Sequence, residues 1–268
     1  MLQTFSLEGK VALVTGGTGV LGQAMAAALA AAGARVAITG RDLARTQAAA
    51  APGIVPLAMD VHNRDSMLAC EQALFAALGP LDILVNGVGG NLPEATTGDG
   101  RSFFDLPQDS LSQVFDLNLI SGLVQPVQVF AKGMAASGRG GSIINISSMS
   151  AQRPLTRVAG YGAAKAAVEN FTKWLAVHLA QEYSPALRVN AIAPGFFLTE
   201  QNRFLLTDPA TGAATERGKS IIEHTPLGRY GTPDDLAGAL VWLASDASRF
   251  VTGTVIPVDG GFSAYSGV

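Results

Sequence analysis

Val11-Ala12-Leu13-Val14-Thr15-Gly16-Gly17-Thr18-Gly19-Val20-Leu21-Gly22 passes from an apolar run through a glycine-rich turn into an alanine-rich helical pattern, Val20–Ala32. The run is continuous rather than alternating, as expected of a parallel strand covered on both faces. A strand that ends in glycines and opens a helix presents backbone N–H groups and a helix N-terminus with no side chains in the way. A dinucleotide pyrophosphate can then approach closely. Glycine clusters also make ordinary tight turns, so the weight lies on the placement between the first strand and the first helix. The cradle residues are Gly16, Thr18, Gly19, Val20, Leu21 and Gly22.

Outward from this unit the pattern repeats. Apolar runs at Arg35–Thr39, Ile54–Ala58, Leu81–Asn86, Ser142–Ser147, Leu187–Ile192 and Thr254–Val258 alternate with helical patterns at Leu43–Ala50, Arg64–Leu78, Gln108–Ala136, Gly160–Glu182 and Pro233–Ala244. Gly33 suits the end of the first helix and Asp42 the N-cap of the second. Alternating β and α units joined by right-handed crossovers give an α/β, Rossmann-type doubly wound parallel sheet of about seven strands with helices on both faces. No linker, repeat or low-complexity stretch divides the chain, so residues 1–268 are expected to form one domain. Two segments break the rhythm, at about 87–105 and 196–231. Both follow strand carboxyl ends, where open α/β sheets bind ligands, and both are expected to wall the substrate site.

Composition narrows the function. Apolar residues make up 48% of the 268, but charged residues only 15%. That deficit points to faces buried between subunits. A net charge of −3 with no basic run argues against nucleic acid and anionic membranes as partners. The single Cys70 excludes an internal disulfide or a cysteine metal cluster, and its helical setting suits a small buried residue; no residues are assigned to a metal. Met1 to Lys10 is too short and polar for a signal peptide, and the apolar runs fall short of the ~20 residues a membrane helix needs. A cytosolic protein is expected.

At the end of the second strand, Thr39-Gly40-Arg41-Asp42 puts glycine where NAD-preferring proteins usually carry an acid for the ribose 2′-hydroxyl. Arg41 suits a 2′-phosphate, so NADP is favoured with NAD possible; Asp42 either caps the helix or reaches the ribose. Asp60 and Val61 follow the third strand, where Asp60 can accept from an adenine amino group or cap the next helix. Asn86-Gly87 closes the fourth strand. Pro194, Gly195, Phe197 and Thr199 follow the sixth, and Thr199 can bond a nicotinamide carboxamide.

Tyr161 and Lys165 are four residues apart in a helical pattern and so share a face. A phenol titrates near ~10, but an ammonium at ~4 Å in an effective dielectric of about 20 favours phenolate by roughly 4 kcal/mol. That lowers the pKa by about three units at the upper end, towards the range where acid–base catalysis works best. Such a pair also occurs in ordinary amphipathic helices. Its context is Ser148, emerging from the strand that ends Ile144-Asn145-Ile146-Ser147, where a hydroxyl can hold the substrate oxygen. Asn118 sits inside a helical pattern it favours poorly, and can hold a water linking Lys165 to solvent.

Taken together, these residues resemble the single-domain branch of the short-chain dehydrogenase/reductase family, from about Lys10 to Gly261. Two positions depart from the family pattern. Val20 stands where the turn's middle glycine is usual, and Asn86-Gly87-Val88-Gly89 replaces Asn-Asn-Ala-Gly. The resemblance implies an NAD(P)-dependent oxidoreductase with the tetrad Asn118, Ser148, Tyr161 and Lys165. It also implies a homotetramer built on helices around Gln108–Ala136 and Gly160–Glu182.

Three segments border the expected pocket, contributing Asn91; Ser150, Gln152, Arg153 and Arg157; and Thr199-Glu200-Gln201-Asn202-Arg203. Amides and guanidinium groups suit a small polar substrate, polyhydroxylated or anionic, better than a steroid or acyl chain, and Arg binds carboxylates bidentately. Arg153 is the first choice for a carboxylate and Arg203 the second, although each arginine could instead serve a loop or a subunit interface. The run Ser147 to Arg157 and the ending Gly260 to Val268 resemble the sugar-acid branch of the family, D-mannonate oxidoreductases (fructuronate reductases), with gluconate 5-dehydrogenases as neighbours. The expected reaction is hydride transfer at a carbonyl or secondary alcohol of a fructuronate/mannonate-type acid. A reductase of 3-oxoacyl thioesters is the alternative within the family. A non-catalytic nucleotide-binding regulator is disfavoured by the intact Ser148, Tyr161 and Lys165.

Overall fold

Alternate residues of the first strand point to opposite faces of the sheet, and each set joins a different apolar cluster. Val11 and Leu13 pack on one side, Ala12 and Val14 on the other. The computed structural model describes residues 3–98, 100–199, 203–208 and 211–267. Its strands are β1 (Val11–Thr15), β2 (Arg35–Gly40), β3 (Val55–Ala58), β4 (Ile83–Asn86), β5 (Gly141–Ile146), β6 (Leu187–Pro194) and β7 (Val255–Val258). All neighbours pair parallel, in the order β3-β2-β1-β4-β5-β6-β7. The order reverses between β1 and β4, which opens a crevice at their carboxyl ends.

The helices are α1 (Val20–Ala31), α2 (Leu43–Ala49), α3 (Arg64–Leu78), α4 (Gln108–Phe115), α5 (Gln125–Ala136), α6 (Ala159–Glu182), α7 (Arg203–Leu206), α8 (Glu216–Glu223) and α9 (Ala237–Ala244). Met25 and Leu29 of α1 and Leu240 and Leu243 of α9 cover the Ala12 face. Met67, Cys70 and Leu74 of α3, Phe130 and Met134 of α5, and Val168 and Leu175 of α6 cover the Leu13 face. The doubly wound sheet is as expected. Burial pushes the Cys70 thiol up to about 12, consistent with a small core residue.

Local signals set the boundaries. Asp42 Oδ1 accepts from Arg45 N at 3.0 Å and so caps α2, while Gly33 ends α1 with φ of 105°. The single helix expected over Gln108–Ala136 is instead α4, a π-helical stretch (Asp116–Val124) and α5. Pro126, in the first turn of α5, has no N–H to donate backwards, and the widened stretch ends just before it. By length and composition this continuous helix could cross a membrane, with a mean hydropathy of 1.3 over its most apolar window, contrary to the expectation that no run was long enough. However, 56% of that window is buried, with Val127, Phe130 and Met134 in the core under the sheet.

Candidate active site

A cleft of about 1350 Å³ follows the strand carboxyl ends from β2 to β6. Its nucleotide end is built mostly of backbone. Gly16 holds a φ of 68°, and a Cβ there would stand 2.9 Å from the Gly87 carbonyl oxygen. A Cβ on Gly22 would collide with the carbonyl oxygen of Gly16. Turn and helix can therefore close this tightly only without side chains. Thr18, Gly19, Val20 and Leu21 complete the wall. Gly87 departs from the family asparagine for a local reason: its N donates to Thr15 Oγ1 at 3.1 Å, and a Cβ would lie 2.7 Å from Thr15 O.

Arg41 lines the cleft together with Arg45 of α2, a residue the sequence reading missed. Both side chains are exposed. A Cβ at Gly40 would stand 2.5 Å from Thr46 Oγ1 and 2.6 Å from Thr18 Cγ2, so the acid expected of NAD-preferring proteins has no room there. Val61, Gly87, Pro194, Gly195, Phe197 and Thr199 line the cleft. Asp60 and Asn86 do not. Asp60 Oδ1 accepts from His62 N at 3.0 Å, closing a turn, which favours the local structural role. Asn86 Nδ2 donates across the sheet to Asn145 Oδ1 at 2.9 Å.

The other end of the cleft is built of side chains. Ser148 follows β5 and caps a short 3-10 turn (Met149–Ala151), with Oγ accepting from Ser150 N at 3.2 Å and from Ser150 Oγ at 3.0 Å. Its own proton is not used in those two bonds, and the Ser148 hydroxyl acts on the Tyr161 phenol, whose pKa it lowers against the effect of burial. One turn further along α6, Lys165 is 3% exposed and its Nζ donates to Ile146 O at 2.8 Å. Gly89 makes room for this cluster: a Cβ there would lie 2.9 Å from Lys165 Nζ and 2.6 Å from Asn118 Oδ1. Asn118 lies in the π-helical stretch. Its Nδ2 donates to Gly90 O at 2.7 Å and Val114 O at 2.8 Å, and its Oδ1 accepts from Gly90 N at 3.1 Å. The Asn118 carboxamide therefore clamps the loop after β4, where the sequence suggested a water ligand.

The electrostatics correct one expectation. Burial raises the Tyr161 pKa above its ordinary value, opposed by the Ser148 hydrogen bond, so the phenol is not drawn down towards neutrality. Burial also lowers Lys165 to about 8. Desolvation penalises both charged forms, and it outweighs the ion attraction estimated from spacing alone.

The substrate residues need the most revision. Of the six expected, only Asn91 lines the cleft, and its Nδ2 is held by Leu92 O and Thr96 Oγ1. Ser150 is buried behind Ser148, and Gln152 donates to Glu169 of α6. Arg153 is carried round by the 3-10 turn, and its Nε donates to Ser263 O at 2.8 Å. Arg157 packs against Gly98 and holds a φ of 74°, while Arg203 is exposed on α7; neither lines the cleft. Glu200, Gln201 and Asn202 lie outside the described residues. The wall instead takes Ser112 and Gln113 from α4, Leu155, Val158 and Arg217 of α8.

A parallel sheet with a phosphate cradle at its switch point and a Ser–Tyr–Lys cluster beside it defines a dinucleotide-dependent oxidoreductase scaffold. Comparisons with known proteins agree. The family model described as enoyl-(acyl carrier protein) reductase matches residues 18–263. An uncharacterized oxidoreductase, UxuB, of Bacillus subtilis (strain 168) is 46% identical over 278 residues, covering 98% of each chain. A D-mannonate oxidoreductase candidate from Haemophilus influenza, solved with bound NAD, is 40% identical with a TM-score of 0.90 over 98% of each chain. A gluconate 5-dehydrogenase from Burkholderia cenocepacia, in complex with NADP and tartrate, is 32% identical with a TM-score of 0.86 over 98% of this chain and 99% of that one. The chain belongs to the short-chain dehydrogenase/reductase family of NAD(P)-dependent oxidoreductases acting on CH–OH groups.

Proposed function

We propose that the protein reduces the carbonyl of a fructuronate/mannonate-type sugar acid with NADPH, reversibly, through Tyr161. The observation that carries this reading is the placing of Ser148, Tyr161 and Lys165 together on the wall of the cleft that also holds the glycine cradle. The nicotinamide, when bound, supplies the hydride that goes to the carbonyl carbon. Tyr161 gives its phenolic proton to the oxygen, and Ser148 Oγ donates a hydrogen bond to that oxygen as negative charge grows on it. A phenol kept protonated by burial is a competent acid for this step. Lys165 stabilises the phenolate left behind, and Asn118 holds the Gly89–Gly90 loop against Lys165.

The cradle, Val61, Gly87, Pro194, Gly195, Phe197 and Thr199 would hold the dinucleotide. Arg41 and Arg45 beside a side-chain-free Gly40 favour the 2′-phosphate of NADP. A sugar-acid relative supports the substrate class, a 2-dehydro-3-deoxy-D-gluconate 5-dehydrogenase of Dickeya dadantii, 36% identical over 268 residues. A cytosolic homotetramer belongs to the same reading. The rings of Phe171, Trp174, His178 and Tyr183 run along α6, with Trp174 54% exposed, and form an apolar face suited to a subunit contact.

A panel of hexonates, ketohexuronates, neutral ketoses and a 3-oxoacyl thioester, assayed with both cofactors, tests this. Fructuronate should be preferred, with NADPH. Equal turnover of the neutral ketose would reduce the assignment to a polar carbonyl, and thioester turnover would move it to the acyl class named by the family model.

A further inference from the structure

We infer that Arg217 is the residue that reads the substrate's carboxylate. The inference rests on the sugar-acid reading above and assigns to it a residue that neither the motifs nor the relatives supply. Arg217 is half-buried on the cleft wall that also holds Ser148 and Tyr161. Among the described residues it forms no ion pair, whereas Arg139, Arg229 and Lys219 each meet an acid within 4 Å. A partly buried guanidinium without a counter-ion favours an incoming carboxylate, which it can bind with two parallel N–H bonds.

Its place in the fold sets it at the reacting end. Arg217 comes from the segment between β6 and β7, while Arg41 and Arg45 follow β2, four strands away in the sheet. At about 4.8 Å per strand the strand ends from which the two groups issue stand roughly 19 Å apart, and Phe196, Phe197 and Thr199 of the same β6–β7 segment line the cleft with Arg217. Among the described residues the acids on the wall are Asp42 and Asp116, and neither neutralises Arg217. Asp42 caps α2, and Asp116 meets His62 Nδ1 at 3.1 Å. The backbone under Arg217 is fixed. Thr215 Oγ1 accepts from Gly218 N at 3.0 Å, and Gly218 packs so closely on Leu206 O and the Tyr230 hydroxyl that no side chain fits there.

The experiment compares kcat/KM for fructuronate and for fructose in wild type, Arg217→Ala, Arg217→Lys and Arg203→Ala, with NADPH affinity measured by fluorescence as the folding control. Expected is a wild-type preference for the acid that falls on the order of 100-fold in Arg217→Ala, chiefly through KM, at unchanged NADPH affinity. Arg217→Lys should restore part of it, and Arg203→Ala should leave it intact. If the wild type prefers the acid but Arg217→Ala keeps that preference, or Arg203→Ala abolishes it, the assignment to Arg217 is overturned while the sugar-acid reading stands. If the wild type shows no preference, both fall. Should Arg217→Ala lose NADPH binding, Arg217→Lys decides: a weakened preference through a raised KM for the acid, at wild-type NADPH affinity, upholds the role, and an unaltered preference and KM overturn it.

Discussion

The two ends of the cleft recognise their ligands by opposite means. The nucleotide end is mostly main chain, with exposed guanidinium groups at its rim. Its glycines are needed for what they lack, and its contacts would form with water close by. The reacting end is a buried relay of hydroxyls and one ammonium, where each group depends on its neighbour for orientation and each charge is costly. A main-chain site tolerates change at its rim and not in its turn, whereas a buried relay has no replaceable member.

The largest effect should come from the relay. Tyr161→Phe removes only the phenolic proton and should lower turnover by at least about 10³-fold while leaving NADPH affinity within about twofold. Near-normal turnover would end the assignment of the proton to Tyr161. At the rim, Arg41→Ala should lower kcat/KM with NADPH by roughly 10- to 100-fold and change NADH little, since only NADPH carries the 2′-phosphate. Arg41→Ala with Arg45→Ala should go further, and equal losses for both cofactors would make the pair structural.

The pH profile separates the ends again. Lys165 loses its proton near 8, so reduction should decline above that pH as the phenolate loses its ammonium neighbour, while the phenol itself stays protonated. A profile flat to pH 10 would exclude Lys165 from the step. The smallest effect is one of stability. With a folded pKa of about 8 against 10.5 unfolded, Lys165 costs stability wherever both states are charged, that is below pH 8. Lys165→Met should therefore stabilise the cofactor-free protein at pH 7 by roughly 2 kcal/mol, a few degrees in Tm, while abolishing turnover. Between pH 8 and 10.5 the unfolded chain holds more protons, so wild-type stability rises and the gap closes. A destabilised variant at pH 7 would show that the Ile146 O hydrogen bond outweighs desolvation.

Much of the nucleotide end was legible because its logic is local. A strand, a glycine turn and a helix are contiguous, and the alternatives at Asp42 were two roles for one short side chain, which the Arg45 N–H resolves. The Ser148, Tyr161 and Lys165 cluster was legible because one strand end and one helix face bring it together. The substrate wall was not. Proximity to Ser148 in the chain says nothing about direction, and one tight turn sends Arg153 to Ser263. Arg217 lies on a two-turn helix capped by Thr215 inside the segment 196–231, which reads as one long loop, and the helix is seated there by the packing of Gly218 on Leu206 and Tyr230, far apart in the chain. The π-helical stretch was hidden by its apolar pattern, although Asn118, Ser121 and Gly122 ahead of Pro126 were its trace.

That stretch acts as a phase shifter. Each α-helical residue turns about 100°, so a locally wider coil offsets everything after it against everything before. Upstream, the rotation presents Ser112 and Gln113 to the cleft; downstream, it presents Val127, Phe130 and Met134 to the sheet. Deleting one residue between Asp116 and Val124 would bring the two halves back into step, and only one of the two faces could then keep its orientation. A single extra residue lets one rod meet two geometries at once, and a chemical surface is thereby grafted onto a helix whose other end is occupied with holding the sheet.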